Sequence, residues 1–278
     1  MSDETIAVTG ATGRIGGMVA RHLAEAGREL VLLVRDPSRA PTLPGASVHR
    51  ASFTDRDAAR AALQGVGTVF MVSGAEAADR VDQHRAFIDA VVESDARHLV
   101  YLSFFGAAPE ATFTLARDHW ATEKYIRSTG IPFTFLRDNL YADFMPGMVG
   151  EDGVIRGPAG DGRAALVAQA DIAEAAATVL KGPADHAGVT YDLTGPASLT
   201  FAEVAATLTE ATGKPVTYQP ETIDEAYASR ERYGAPSWQL DAWVSTYTAV
   251  AKGELDGVTD HVETLTGHPA TPLATVVR

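Results

Sequence analysis

Apolar positions along this chain follow two periods that alternate. Continuous runs of strand length occupy residues 6–8, 30–34, 68–72, 99–102 and 133–136, with a shorter one around Val48. Runs that are apolar on both faces belong to strands covered on each side, as in parallel sheets. Between them the apolar residues recur at helical spacing. Ile15, Met18, Val19, Leu23 and Ala26 make one face of a helix closed by Gly27. Residues 55–63 read as a short helix ended by Gly65, residues 79–94 carry Val81, Ile88, Val91 and Val92 on one stripe, and a helix over 116–128 ends before Gly130. Such alternation predicts βαβ units and a parallel sheet. The expected fold is α/β, a doubly wound (Rossmann) parallel sheet in the order 3-2-1-4-5-6.

Beyond residue ~140 the texture changes. Glycine and proline crowd residues 146–162, which read as a loop region with little helical period. Asp171 is placed to cap a helix over 172–180. A strand over 189–193, an amphipathic helix over 200–212 and a strand over 216–218 follow. Long helices over 222–253 supply Tyr227, Tyr233, Trp238, Trp243 and Tyr247. We expect a dinucleotide-binding core over 1–140 and a small C-terminal α/β substrate-binding region over 141–278. Core elements return within the second stretch, and the two are expected to form a single compact unit.

The first strand runs straight into Gly10, Gly13 and Gly16, and a helix begins at once. Each glycine has a task in a dinucleotide site. Gly10 allows the tight turn, Gly13 lets the backbone approach a pyrophosphate, and Gly16 lets the helix pack close to the sheet. The helix start adds N–H groups and the positive end of a dipole. Placement directly between a strand and a helix is the context that such a motif requires.

Composition narrows the remaining classes. The chain has 278 residues, enough to bury a large core without staples. It has no cysteine, which excludes disulfides, thiolate metal sites, iron–sulfur clusters and a cysteine nucleophile. The histidines other than His119 show no metal-ligand spacing, so no metal is expected. A formal charge of −13 argues against nucleic acid as a partner. No apolar run approaches the ~20 residues that span a bilayer. Acids followed at once by a strand do not make a signal peptide, so a soluble cytoplasmic protein is expected.

The end of the second strand discriminates between nicotinamide cofactors. An acid there binds the ribose 2′-hydroxyl, whereas an arginine accommodates a 2′-phosphate. Here Arg35 comes first and Asp36 second, and Arg14 in the glycine loop offers another guanidinium. Two guanidinia match a dianionic phosphate in charge and geometry. NADPH/NADP is therefore expected in preference to NADH, with Asp36 turned away into the turn that begins at Pro37.

Several segments then carry a resemblance. They are Thr9-Gly10-Ala11-Thr12-Gly13-Arg14-Ile15-Gly16, Val34-Arg35-Asp36-Pro37, Gln83-His84-Arg85 leading to Tyr101-Leu102-Ser103, and Asp118-His119-Trp120-Ala121-Thr122-Glu123-Lys124. Leu136-Arg137-Asp138-Asn139-Leu140-Tyr141, Asp171-Ile172-Ala173, Tyr191-Asp192-Leu193-Thr194-Gly195-Pro196 and Gly253-Glu254 follow in the same order. Over nearly its whole length the chain resembles the NmrA-like group of atypical short-chain dehydrogenases, particularly its NADPH-dependent quinone oxidoreductases. The cofactor residues expected are Gly10, Thr12, Gly13, Arg14, Ile15, Gly16 and Arg35 in the first half of the fold. Ser73, Gly74, Ser103 and Lys124 complete the set.

One departure from ordinary short-chain dehydrogenases bears on chemistry. Those enzymes pair a lysine with a tyrosine four residues earlier, and the tyrosine donates the proton. Here Lys124 is preceded at that spacing by Trp120, on the same helix face. An indole N–H donates a hydrogen bond but does not titrate. Ketone reduction makes an alkoxide whose conjugate acid is about as weak as water. Quinone reduction makes a phenolate-like anion whose conjugate acid is near 10, as for tyrosine. The sequence suits the second reaction better than the first.

The expected roles follow. Lys124 holds positive charge near the developing anion and binds the nicotinamide ribose. Ser103, ending the fifth strand, reaches nicotinamide or substrate. Glu123 orients His119 as a proton relay. Phe105, Tyr141 and Phe144 stack on a planar acceptor. No flavin is expected, so hydride passes directly. The expected partner is a small planar organic acceptor, and a homodimer stays open as an assembly. Two other readings stand beside this one: a redox sensor that binds NADP(H) with little catalysis, and a natural-product tailoring reductase.

Overall fold

The computed structural model describes residues 4–278. Residues 1–3, where the expected 1–140 core begins, lie outside the described residues. The first half runs Thr5–Thr9 (β1), Arg14–Glu25 (α1), Leu30–Val34 (β2), Ala46–Arg50 (β3), Arg56–Ala62 (α2) and Val66–Val72 (β4). It continues through Arg80–Val92 (α3), His98–Phe104 (β5), Thr114–Thr129 (α4) and Phe133–Asp138 (β6). Then come Val154–Gly157 (β7), Arg163–Ala164 (β8), Gln169–Lys181 (α5), Thr190–Leu193 (β9) and Leu199–Thr200 (β10). Phe201–Thr212 (α6), Thr217–Pro220 (β11), Ile223–Glu231 (α7), Ser237–Ala251 (α8), His261–Thr266 (α9) and Leu273–Val276 (α10) close the chain. No helix among the described residues is long and apolar enough to cross a membrane.

The main sheet has seven strands in the order β3-β2-β1-β4-β5-β6-β9. The expected order holds, and β9 extends it by one strand. Pairing is parallel, with Thr9 opposite Leu33, Val8 opposite Phe70 and Val72 opposite Leu102. All five residues of β2 and all seven of β5 are buried, as their unbroken apolar runs require. β3 is an edge strand, and Val48 on it is 41% exposed.

By its internal contacts the chain divides into two compact units, and each is built from three separate stretches. Unit 1 comprises Met1–Ser103, Trp120–Arg137 and Ala170–Tyr191; unit 2 comprises Phe104–His119, Asp138–Gln169 and Asp192–Arg278. A single cut near residue 140 does not describe this division, because α5 and the start of β9 return to unit 1. The core of unit 1 gathers Val31, Leu33, Met71, Phe87, Ile88, Tyr101 and Phe135. That of unit 2 gathers Met145, Ile155, Phe201, Leu208, Tyr247 and Val250.

Three local expectations need correction. Residues 146–162 are not simply loop: a 3₁₀ turn covers Ala142–Met148, and β7 pairs in parallel with β11. The pairing partner lies far along the chain, so local periodicity carried no sign of it. Asp171 does not cap its helix but sits in the first turn of α5, which begins at Gln169. An acid there complements the positive end of the helix dipole. Val92 is 42% exposed, while Ile88 and Val91 are buried as expected and His84 and Phe87 share their stripe on α3.

Candidate active site

The glycine loop is shaped by hard contacts. Gly10 has φ +67°, a conformation that costs other residues energy and glycine little. Its carbonyl accepts from the Gly13 N–H at 2.8 Å. A Cβ on Gly16 would lie 2.4 Å from that same carbonyl oxygen, so the helix can start this close to the strand only with glycine there. The loop is tied to the neighbouring strand where Thr9 Oγ1 accepts from the Val72 N–H at 2.8 Å. Gly13, extended, precedes α1; no side chain caps the helix and no acid lies in its first turn. Ile15 is buried, while Thr12 and Arg14 are exposed. Such a helix start leaves N–H groups and the positive end of a dipole to meet an anion.

Arg35 follows β2 at the same edge of unit 1, since Thr9 pairs with Leu33. Arg14 and Arg35 are exposed, and neither makes a hydrogen bond or ion pair among the described residues. Asp36 is engaged: its Oδ1 accepts from Ser38 N at 3.0 Å and Ser38 Oγ at 2.7 Å, opening the Pro37–Arg39 turn. Those Ser38 hydrogen bonds hold its carboxyl below the usual aspartate range. The cradle that a Cβ would fill, two guanidinia without acids and an acid-free helix start fit a dinucleotide carrying a 2′-phosphate. Arg35→Ser is expected to raise KM for NADPH about 10- to 100-fold, the worth of a charged hydrogen bond, and to leave KM for NADH nearly unchanged. Steady-state kinetics with both cofactors decide it, and an unaltered ratio would remove Arg35 from the phosphate site.

Ser73 and Gly74 follow β4, and here the structure adds a residue to which the sequence reading gave no role. His84 is fully buried on α3. Its Nε2 accepts from the Gly74 N–H at 2.8 Å, and its Nδ1 lies 2.9 Å from Thr122 Oγ1. A backbone N–H can only donate, so the neutral ring carries its proton on Nδ1 and donates to Thr122. Arg80 Nε donates to the Gly74 carbonyl at 3.0 Å. The Gly74 peptide is thus held from both sides. Burial, assisted by the charge of Arg80, pushes the His84 pKa down to about 3. The signal was available: His84 falls at i relative to Phe87, Ile88 and Val91 at i+3, i+4 and i+7, a core position.

On α4 the carboxylate of Glu123 is a hub. Ser103 Oγ donates to its Oε1 at 2.7 Å. Arg137 clamps it from both prongs, Nε to Oε1 at 2.8 Å and Nη2 to Oε2 at 2.7 Å. Arg127 stands 3.7 Å from Oε2. Ser103 and Glu123 are both fully buried. Hence the oxygens that i,i+4 spacing offered to His119 accept from Ser103 and Arg137, and the proton of Ser103 is committed to Glu123. One turn of the helix presents Lys124 to solvent, with Nζ 5.1 Å from the Trp120 ring centroid. That is a cation–π pair on the face where other reductases carry lysine and tyrosine.

Among the aromatics of unit 2, Tyr141 donates to Asp138 Oδ2 at 2.6 Å and meets Phe144 edge-on at 5.1 Å between centroids. Phe144 is 51% exposed. Phe105 packs, partly buried, on the core of that unit. His119 is buried with its ring 5.9 Å from that of Phe104.

Residues 2–233 match the model of the NmrA-like family. Quinone oxidoreductase 2 of Escherichia coli is 35% identical over 277 residues, covering 97% of this chain and 96% of that protein. An NAD(P)H azoreductase of Xenophilus azovorans is 32% identical over 274 residues, covering 97% and 95%. The crystal structure of an NADPH-dependent quinone oxidoreductase from Escherichia coli complexed with NADPH superposes with a TM-score of 0.89, at 35% identity and 98% coverage of both chains. The chain belongs to the NmrA-like family.

Proposed function

We propose that this chain is an NADPH-dependent reductase that passes hydride directly to a quinone or a similar flat, conjugated acceptor. The observation that carries the reading is the α4 pair, Lys124 retained and Trp120 at 5.1 Å in the place of a phenolic acid. Gly10, Thr12, Gly13 and the start of α1 would hold the pyrophosphate, and Arg14 and Arg35 the 2′-phosphate. When bound, the nicotinamide supplies the hydride, and the protein supplies orientation and electrostatics. Lys124 sets a fixed positive charge where negative charge develops on the acceptor oxygen. The Ser103–Glu123–Arg137 clamp fixes the turn of α4 that carries it. An acceptor whose product anion is phenolate-like needs that charge and no strong acid, and His119 or water completes the protonation. The relatives named above are a quinone oxidoreductase and an azoreductase, and both substrate types are conjugated acceptors of this kind. Phe105, Tyr141 and Phe144 are the proposed stacking surfaces.

Oxidation of NADPH followed at 340 nm, with NADH in parallel, tests the reading against small quinones, an azo dye and simple ketones. Saturable turnover with quinones and NADPH, but not with ketones, is expected. Lys124→Ala should lower kcat about 100- to 1,000-fold while NADPH affinity stays within a few-fold. Tight NADPH binding with no turnover on any acceptor would overturn the enzyme reading in favour of a sensor.

A further inference from the structure

Unit 2 contains a cavity lined wholly by its own residues. It measures about 580 Å³ and lies among the end of the Ala142–Met148 turn, β7, α7 and α8. That volume is in the range of small-molecule sites. Its wall combines Tyr233, Trp243 and Tyr247 with Arg156, Arg230 and Arg232, and no acid among the described residues lines it. Tyr233 stands 60% exposed, edge-on to Trp243 at 6.0 Å. The Arg230 guanidinium lies 5.0 Å over the Tyr247 ring.

The charges do not cancel. Arg156 is held by Asp152, with Nη2 to Oδ2 at 2.7 Å, and Arg230 by the partly buried Glu221 at 2.9 Å. Arg232 donates to the Tyr233 hydroxyl at 2.9 Å and has no carboxylate partner among the described residues. An aromatic-walled cavity therefore presents one uncompensated guanidinium, on a chain whose formal charge is −13. Such a strongly acidic chain repels anions in general, so a local excess of positive charge selects where an anion can sit. We infer that this cavity binds planar aromatic monoanions, aryl carboxylates or sulfonates, with the ring against Trp243 and Tyr233 and the anion on Arg232.

The inference stands apart from the reductase reading, because binding is measured without cofactor or turnover. Naphthalene-2-sulfonate and the neutral 2-naphthylmethanol are titrated into the full chain while tryptophan fluorescence is followed. The sulfonate is expected to bind about tenfold more tightly at low salt, the lower end for a charged hydrogen bond, and the advantage should shrink as salt rises. Arg232→Ala should abolish the advantage, Arg232→Glu should invert it, and neither should alter the melting curve, since the side chain is exposed. Trp243→Phe should remove most of the quenching while binding, followed by calorimetry, persists. Equal affinity for both probes, an Arg232→Ala variant that binds the sulfonate like the parent, or quenching that survives Trp243→Phe would each overturn the assignment.

Discussion

Replacing Arg137 with alanine is expected to destabilise the protein by about 3–5 kcal/mol, the loss seen when one partner of a buried ion pair is removed. In a chain of this size that corresponds to a fall in Tm of about 10 °C. Glu123 is 1% exposed, and both of its oxygens accept from Arg137. Without that fork it keeps Ser103 and the more distant Arg127, too little to solvate a carboxylate. The damage lies in the stranded charge, so a second change that removes the charge should repair it. Glu123→Gln added to Arg137→Ala is expected to recover a large part of the loss. Arg137→Lys should recover less, since an ammonium cannot reproduce the two parallel hydrogen bonds. Denaturant unfolding measures all three. A single variant within 1 kcal/mol of the parent, or a double variant no better than the single, would refute the stranded-charge account.

Acid should be unusually damaging to this fold. Burial lowers the His84 pKa to about 3 and the His98 pKa to about 4, with Arg80 and His186 adding smaller repulsions. His98 is buried at the start of β5, with Nε2 2.9 Å from Thr134 Oγ1. In the unfolded chain both rings titrate near 6.5. Above that pH neither state takes up the protons and the contribution is fully present. As pH falls below 6.5 the unfolded state binds protons that the folded state refuses, so stability declines until the folded rings titrate too. At pH 4 His84 accounts for about 3 kcal/mol of loss and His98, whose folded ring is by then half protonated, for less. The slope between pH 6.5 and pH 4 should therefore fall by about one proton in His84→Gln and likewise in His98→Gln, because an amide keeps a donor and an acceptor without titrating. Slopes identical to the parent in both variants would assign the acid sensitivity elsewhere.

The glycine loop, the strand order and the place of Arg35 were legible because they depend on local pattern and on rules of chain topology. Gly16 could be assigned its task from spacing alone, and the structure supplies the carbonyl that enforces it. What escaped the sequence reading is long-range. Arg137 follows a strand pattern and Glu123 a helix pattern, and nothing local in either shows that they meet. Glu123 gave a weak sign of burial, lying on the stripe of α4 that holds His119, Thr122 and Ile126, yet spacing alone suggested His119 as its partner. β7 was hidden for the same reason: its short alternation has meaning only beside β11. His84 shows no ligand spacing in the sequence, but its position on the core stripe points to a buried, hydrogen-bonded ring.

The interleaving of the two units has a practical corollary for anyone shortening the gene. A fragment ending near residue 140 would contain six strands of the main sheet but neither α5 nor β9. It would bare β6, whose Phe135 N–H donates to the Val189 carbonyl at 3.0 Å and whose Phe133 carbonyl accepts from Gly188 at 2.7 Å. It would also remove Ile172, Ala173, Ala176 and Leu180, all fully buried. An apolar edge strand stripped of its neighbour is a template for pairing with other chains. The shortened product would announce its missing segment by precipitating, so the first six strands have to be produced with the rest of the chain attached.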